Sequence, residues 1–327
     1  MAKIFLTGAD GFIGSHLAEL LIRRGHHVRA LVQYNSFGHQ GWLRDLPAEV
    51  YRELEIVPGD VRDAYQMKAL AQGQDWLIHL AALIGIPYSY QAPASYVQTN
   101  VQGTLHVLEA AQAAQCQKIL ITSTSEVYGT AHYVPIDEAH PLQPQSPYSA
   151  SKVGADSLAL AYARSFGLPV TLVRPFNTYG PRQSYRAIIP SIIGQLLGGA
   201  PALQLGDLRP TRDLLFVRDN ARAYLSIAEA EVTPGQTFNL ATGQEFAMQQ
   251  VADTLIELIQ PGTPIIQDPA RLRPVASEVM RLCGDATLLR EQTGWQPEYD
   301  LRQGLTETIA WFRTHPAHGQ HGGDFQV

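Results

Sequence analysis

Short apolar runs alternate with stretches of helical period through the first half of the chain. Lys3–Thr7, Val28–Gln33, Glu55–Val57, Trp76–Leu80, Lys118–Thr122 and Pro169–Arg174 read as strands. Gly14–Arg24, Ala64–Gln72, Val101–Ala114 and Tyr148–Phe166 read as helices between them. In the first helix Leu17, Leu20 and Leu21 share one face, Arg23 and Arg24 sit at the negative end of the dipole, and Gly25 can cap. This alternation predicts parallel βαβ units in an open, doubly wound α/β sheet. After Arg174 the texture changes, because Pro175, Pro181, Pro190, Pro201 and Pro210 break the chain into shorter pieces. Leu214–Val217 and Thr237–Leu240 read as strands returning to the first sheet, and Met248–Ile259 and Leu301–Phe312 as helices. The expected division is a first domain over 1–176 with returning segments at about 213–260, a smaller C-terminal α/β domain from 177–212 and 261–315, and a flexible tail over 316–327.

Composition narrows the class. Hydrophobic residues make up 45% of the 327 and charged residues 17%, enough to bury a large core. No apolar run approaches the ~18 residues of a membrane span, and no cleavable signal pattern follows Met1. The formal net charge of -6 argues against nucleic acid and anionic membranes as partners. Anionic small molecules stay open, because a few local arginines suffice. Cys116 and Cys283 alone make neither a disulfide framework nor a metal site, so a reducing cytoplasm is expected. His315, His318 and His321 in the glycine-containing tail read as a frayed terminus rather than metal ligands.

Three constellations carry chemistry. Gly8, Gly11 and Gly14 form T-G-A-D-G-F-I-G between a strand and a helix, as a Rossmann dinucleotide cradle requires. Tyr148 and Lys152 form Y-S-A-S-K, one turn apart on a helix, where an ammonium would lower the phenol pKa and make it a usable base. Ser123-Thr124-Ser125-Glu126 follows the strand Lys118–Thr122, at the sheet edge where ligands bind. There Glu126 can remove an acidified C–H proton.

The G-x-x-G-x-x-G spacing, Asp60-Val61 after the third strand, Ala81-Ala82 after the fourth and the Y-x-x-x-K pair together resemble the extended short-chain dehydrogenase/reductase superfamily. The T-S-E triplet resembles nucleotide-sugar 4,6-dehydratases and, equally, UDP-glucuronate decarboxylases. Residues Ala81 to Tyr90, Arg174 to Ser184, Leu272-Arg273-Pro274 and Ser277-Glu278-Val279 resemble NAD-dependent 4,6-dehydratases of the legionaminic-acid type, which act on a nucleotide-activated N-acetylglucosamine. Decarboxylases are associated with a small residue after Arg212, so Asp213 favours the dehydratase. A 4-epimerase would need no Glu126, and cofactor-sensing regulators on this fold commonly lack the Tyr/Lys pair.

The resemblance implies a cofactor site of Gly8, Asp10, Gly11, Phe12, Ile13, Gly14, Asp60, Val61, Leu80, Ala81, Ala82, Thr99, Thr122, Tyr148, Lys152 and Pro175. The acid that usually binds the NAD ribose is missing, because the second strand ends in Gln33-Tyr34-Asn35-Ser36. Asn35 or Ser36 is expected to take its place. No arginine there suits a 2′-phosphate, with Arg44 and Arg62 elsewhere, so NAD is expected and NADP stays open. The implied catalytic set is Thr124, Ser125, Glu126, Tyr148 and Lys152, with Thr124 on the substrate's C4 oxygen. Asn177, Arg212 and Arg273 are implied for the pyrophosphate of a nucleotide-sugar substrate; Ile188 and Ile189 are expected to line its base or sugar, and Tyr88, Tyr90, Gln183 and Tyr185 are further candidates for the hexose that no motif marks. A homodimer through the helices bearing Val101, Leu105, Leu108, Ala155, Leu158 and Ala159 is also implied.

Overall fold

The computed structural model describes residues 1–272 and 279–315. Six strands come first: β1 (Lys3–Thr7), β2 (His27–Gln33), β3 (Leu54–Gly59), β4 (Trp76–His79), β5 (Lys118–Thr122) and β6 (Val170–Pro175). The chain then makes β7 (Asn177–Tyr179), β8 (Leu203–Leu205), β9 (Thr211–Arg212) and β10 (Leu214–Phe216), and returns to the main sheet as β11 (Thr237–Leu240). The short strands β12 (Phe246–Ala247), β13 (Ile265–Gln267) and β14 (Arg281–Leu282) follow.

The main sheet has seven parallel strands in the order β11-β6-β5-β4-β1-β2-β3. Its strands are mostly apolar because both faces are covered, and the outer strands β2 and β3 carry a cross-strand pair, Arg29 Nε donating to Glu55 at 2.8 Å. Alternate residues of β1 serve opposite layers: Ile4 and Leu6 pack with Leu17 and Leu21 of the helix Phe12–Arg23, whereas Phe5 packs with Leu108 and Ala159 behind the sheet. Gly25, at φ +81, donates its N–H to Ile22 O and ends that first helix as its position suggested. The chain runs outward from β1 in both directions, so a crevice opens between the carboxyl ends of β1 and β4.

A third cluster joins Ile189, Ile192, Met248, Val251, Leu255, Leu305 and Ile309. It gathers the helices Ile188–Leu197, Met248–Ile259 and Leu301–Thr314 on the far side of the crevice. Two expectations change here. Leu214–Phe216 does not rejoin the main sheet; it pairs with β7, Leu214 opposite Asn177. The helix Met248–Ile259 buries its apolar stripe in the third cluster, so its packing is with the smaller unit rather than the sheet. The helix expected over Val101–Ala114 is also subdivided. Residues Val97–Gln102 form a π-helical turn that leads into Gly103–Ala114.

The crevice depends on one close approach. A Cβ on Gly14 would lie 2.0 Å from the carbonyl oxygen of Gly8. Gly14→Ala therefore has to push the helix off the sheet, at a cost of about 1–3 kcal/mol. A lowered urea midpoint is expected; an unchanged one would show that the helix start has slack.

Candidate active site

The turn after β1 is shaped by its neighbours. Gly8 takes the left-handed conformation (φ +69), and a Cβ there would lie 2.6 Å from Ala81 N. Gly11 starts the helix with no side-chain cap, and no acid occupies the first turn, so the helix start is left for an anion. Thr7 Oγ1 accepts the N–H of Ala81 at 3.2 Å and meets His79 Nδ1 at 2.7 Å. Burial first and then the Lys152 charge push His79 down to about 3, so it is a neutral strut rather than a proton carrier.

These elements frame a cavity of about 1000 Å³ between the sheet edge and the third cluster. It is lined by every residue implied for catalysis, cofactor and substrate except Asn35, Ser36 and Arg273. Arg273 lies outside the described residues, as do Pro274, Ser277 and Glu278 and the tail with His318 and His321. Asn35 is committed elsewhere. Its amide donates to Gln33 O (3.2 Å) and His39 O (2.9 Å), and its Oδ1 accepts His39 N–H (2.9 Å). Ser36 is exposed on the same loop. Gln33 and Arg62, neither implied by the motifs, do line the cavity, and Arg62 is held by Asp60 at 2.5 Å.

The catalytic candidates converge from two elements. After β5, Thr124 Oγ1 accepts Glu126 N–H at 3.2 Å and starts a short helical turn through Val127. The helix Pro147–Phe166 starts sharply, with Ser146 and Ser149 capping each other and proline in the first turn, so Tyr148 projects from its first turn. Tyr148 is buried and its phenol hydrogen-bonds Thr124. The expected lowering of this phenol by Lys152 is not what the structure has. Burial raises its pKa, the Thr124 bond opposes that, and Glu126 raises it further. The Lys152 ammonium donates instead to Thr122 O at 2.5 Å, and burial lowers its pKa to about 8 against the pull of Asp156.

Residues that the motifs did not mark hold this arrangement. Asn100, in the π-helical turn, donates to Leu83 O (2.9 Å), accepts Leu83 N–H (2.8 Å) and donates to Ser151 Oγ (2.9 Å). Ser151 in turn donates to Tyr148 O at 2.6 Å. Behind Lys152, Asp156 accepts from Ser123 Oγ (2.8 Å) and from Arg174 Nη2 of β6 (3.0 Å). Arg174 also donates to Tyr128 Oη at 3.0 Å. Each has only an ordinary polar residue as its sequence signal; their meaning is in three-dimensional proximity.

The far end is polar. The buried Asn177 Oδ1 and Gln183 Oε1 have no hydrogen-bond partner among the described residues. Buried Arg212 lines the wall and donates to Thr211 O at 2.9 Å. Arg186 and Arg271 line it as well; neither belongs to a motif, because both lie in short, irregular segments. Tyr88, Tyr90, Gln183 and Tyr185 reach the same cavity. Asp213 does not. It is fully buried, accepting from Thr242 N and Oγ1, Gly243 N and Gly284 N, so its role is to hold loops and it says nothing about substrate.

A seven-stranded parallel sheet, a glycine cradle and a Tyr/Lys/Thr cluster at its edge define a short-chain dehydrogenase/reductase of the extended type. The family model described as GDP-mannose 4,6 dehydratase matches residues 5–308, and the chain belongs to this family of nucleotide-sugar dehydratases and epimerases. A dTDP-glucose 4,6-dehydratase of Actinoplanes sp. is 33% identical over 321 residues, covering 96% of this chain and 98% of the relative. A UDP-N-acetyl-alpha-D-glucosaminuronate decarboxylase of Bacillus cytotoxicus is also 33% identical, covering 95% and 98%. The structure of a dTDP-glucose 4,6-dehydratase from Streptomyces venezuelae with NAD bound superposes with a TM-score of 0.87 at 29% identity, covering 96% and 98%. No described helix is long and apolar enough to cross a membrane.

Asp156→Ala would leave the Arg174 guanidinium buried without its counter-charge. A loss of about 3–5 kcal/mol is expected in urea unfolding. A loss below about 1 kcal/mol, the range of exposed pairs, would mean that Arg174 finds water or another partner.

Proposed function

We propose that the protein is an NAD-dependent nucleotide-sugar 4,6-dehydratase acting on UDP-N-acetylglucosamine. The observation that carries this reading is Glu126, which lines the same cavity as Thr124 and Tyr148 and acts electrostatically on the phenol. Oxidation at C4 needs no such carboxylate; removing the proton at C5 does.

The residues fit the cofactor. The uncapped helix start suits a pyrophosphate, and Gly8 and Gly14 keep side chains out of the turn. When bound, NAD supplies the hydride acceptor for C4 and the hydride donor for C6. Tyr148 takes the proton of the C4 hydroxyl while Thr124 holds its oxygen. Tyr148 accepts that proton as its phenolate, and Lys152, as an ammonium, offsets the phenolate charge before the proton arrives. The C4 ketone acidifies C5, Glu126 removes the C5 proton, and the C6 hydroxyl leaves as water with a proton from Glu126 or Ser125; C5 regains a proton as C6 is reduced, which balances the proton Tyr148 took from the C4 hydroxyl. The product is a 4-keto-6-deoxy sugar nucleotide, and no external reductant is consumed. Asn177 and Arg212 are the groups for the substrate's pyrophosphate.

A homodimer through the helices Gly103–Ala114 and Pro147–Phe166 is part of the proposal: Leu105 is half-buried, whereas Leu108, Ala155 and Ala159 are spent in the chain's own core and Leu158 packs against it. Two free cysteines fit a reducing cytoplasm. A second reading, a UDP-glucuronate decarboxylase, would use the same Tyr148 and Thr124, and the decarboxylase relative favours weighing it.

Purified protein given UDP-N-acetylglucosamine without reductant should produce a species lighter by one water, whose ketone a hydrazine traps. No change there, with carbon dioxide released from UDP-glucuronate, would replace the dehydratase by the decarboxylase. Glu126→Gln should reduce dehydration by at least about 100-fold while slow C4 oxidation persists as accumulated reduced cofactor. Full dehydration by this variant would remove Glu126 from the mechanism.

Turnover should also fall as pH rises through about 8, where Lys152 loses its proton. The sign follows from its lowered pKa: the ammonium is present below that value and gone above it. Asp156→Asn removes the carboxylate that opposes this lowering and should move the alkaline limb to lower pH. An unmoved limb in the kcat–pH profile would exclude that influence.

A further inference from the structure

The end of β2 lacks the carboxylate that dinucleotide folds of this kind place against the adenosine ribose. Gln33 closes the strand, Asn35 is consumed by its own loop, and Ser36 lies outside the cavity. A carboxylate nevertheless arrives at that place from the opposite direction. Asp10 stands in the glycine turn between Gly8 and Gly11, and its Oδ2 accepts the backbone N–H of Gln33 at 3.1 Å. It lines the cavity beside Gly11, Gln33 and Asp60.

The position of Asp10 is fixed by its backbone. Its carbonyl oxygen accepts the N–H of Trp42 at 3.0 Å. Gly41, in the left-handed region at φ +51, passes so close that a Cβ would lie 2.3 Å from the same oxygen. The carboxylate is therefore presented from a clamped turn rather than from a loose loop. The local charge points the same way. Arg62, the cation on this part of the wall, is held by Asp60 through Nε at 3.0 Å and Nη2 at 2.5 Å. With that pair neutral, the charge of Asp10 is the one left over.

We propose that Asp10 is the cofactor-specificity residue, its carboxylate accepting the 2′-hydroxyl of the adenosine ribose and repelling a 2′-phosphate, so that the glycine turn does the work of the missing strand-end acid. This rests on the dinucleotide site proposed above. A 2′-hydroxyl donates a hydrogen bond to a carboxylate, whereas a phosphate brings a second anion with no donor to the same oxygen.

The test is calorimetric binding to the full-length protein stripped of nucleotide, with NAD, NADP and the adenosine-2′-deoxy analogue of NAD as probes. Wild type should bind NAD at least about tenfold more tightly than either of the others, and Asp10→Asn should shrink the NAD/NADP ratio by at least about tenfold. The deoxy analogue needs no variant, so the outcome stands even if Asp10→Asn folds poorly. Wild type that binds NAD and the deoxy analogue equally, or an Asp10→Asn protein that keeps the NAD/NADP ratio, would overturn the assignment while leaving the dinucleotide site intact. Wild type that binds none of the three would instead remove the cofactor reading itself.

Discussion

The helix beginning at Phe12 has to rest on the turn that precedes it, and it can do so only because position 14 carries no side chain. The Gly8 carbonyl occupies the space that a Cβ would need. This contact brings the positive end of the helix dipole to the crevice between β1 and β4, where the order of strands reverses. The same turn is backed by Ala81 on one side and by Gly41 and Trp42 on the other. Three segments far apart in the chain are thereby brought into register around one stretch of backbone. Asp10, Ala81 and the first-turn N–H groups, which line the cavity, inherit their positions from it.

A second fixed point lies behind the Tyr148 helix. The Asp156–Arg174 pair is almost wholly buried, its side chains 2% and 4% exposed. Taking two charges this far from water offsets most of their attraction, so the pair contributes little net stability while making the loss of either partner costly. What it does accomplish is geometric. It ties the helix to β6, and through Ser123 it ties both to the turn that carries Thr124 and Glu126. The negative charge also faces Lys152 one helical turn away and favours its protonated form.

Regular elements were legible in the sequence because each carries its own period. The strands of the main sheet and the helix Met248–Ile259 fall where apolar spacing put them. Legibility failed where partner choice decides. Leu214–Phe216 has a strand's composition, but nothing local distinguishes pairing with β7 from pairing with the main sheet. The candidate site divides along the same line. Glycines, the Tyr/Lys pair and the T-S-E triplet announce themselves by spacing, whereas Asn100 and Asp156 are single polar residues whose side-chain partners are 17 to 51 positions away. Asn35 had the right chemistry for a ribose but was already engaged by His39, which spacing does not reveal.

The division of the cavity explains how one fold serves relatives with different reactions. Its cofactor half is built from the ends of β1 to β6, which are fixed by a sheet packed on both faces. Its substrate half is built from β7 to β10 and the short turn Pro269–Arg271, elements of two or three residues joined by irregular chain. Changes in that half leave the sheet undisturbed, so substrate preference can vary while the cradle and the Tyr/Lys pair stay in place. On the proposed mechanism, the reaction is then set by what stands beside Tyr148. A hydroxyl alone serves a reversible oxidation at C4, and a carboxylate at the position of Glu126 adds proton removal at C5. Because Thr124 and Glu126 share a single turn after β5, one hydrogen bond from the Glu126 N–H to the Thr124 hydroxyl couples the two residues proposed for the C4 oxygen and the C5 proton.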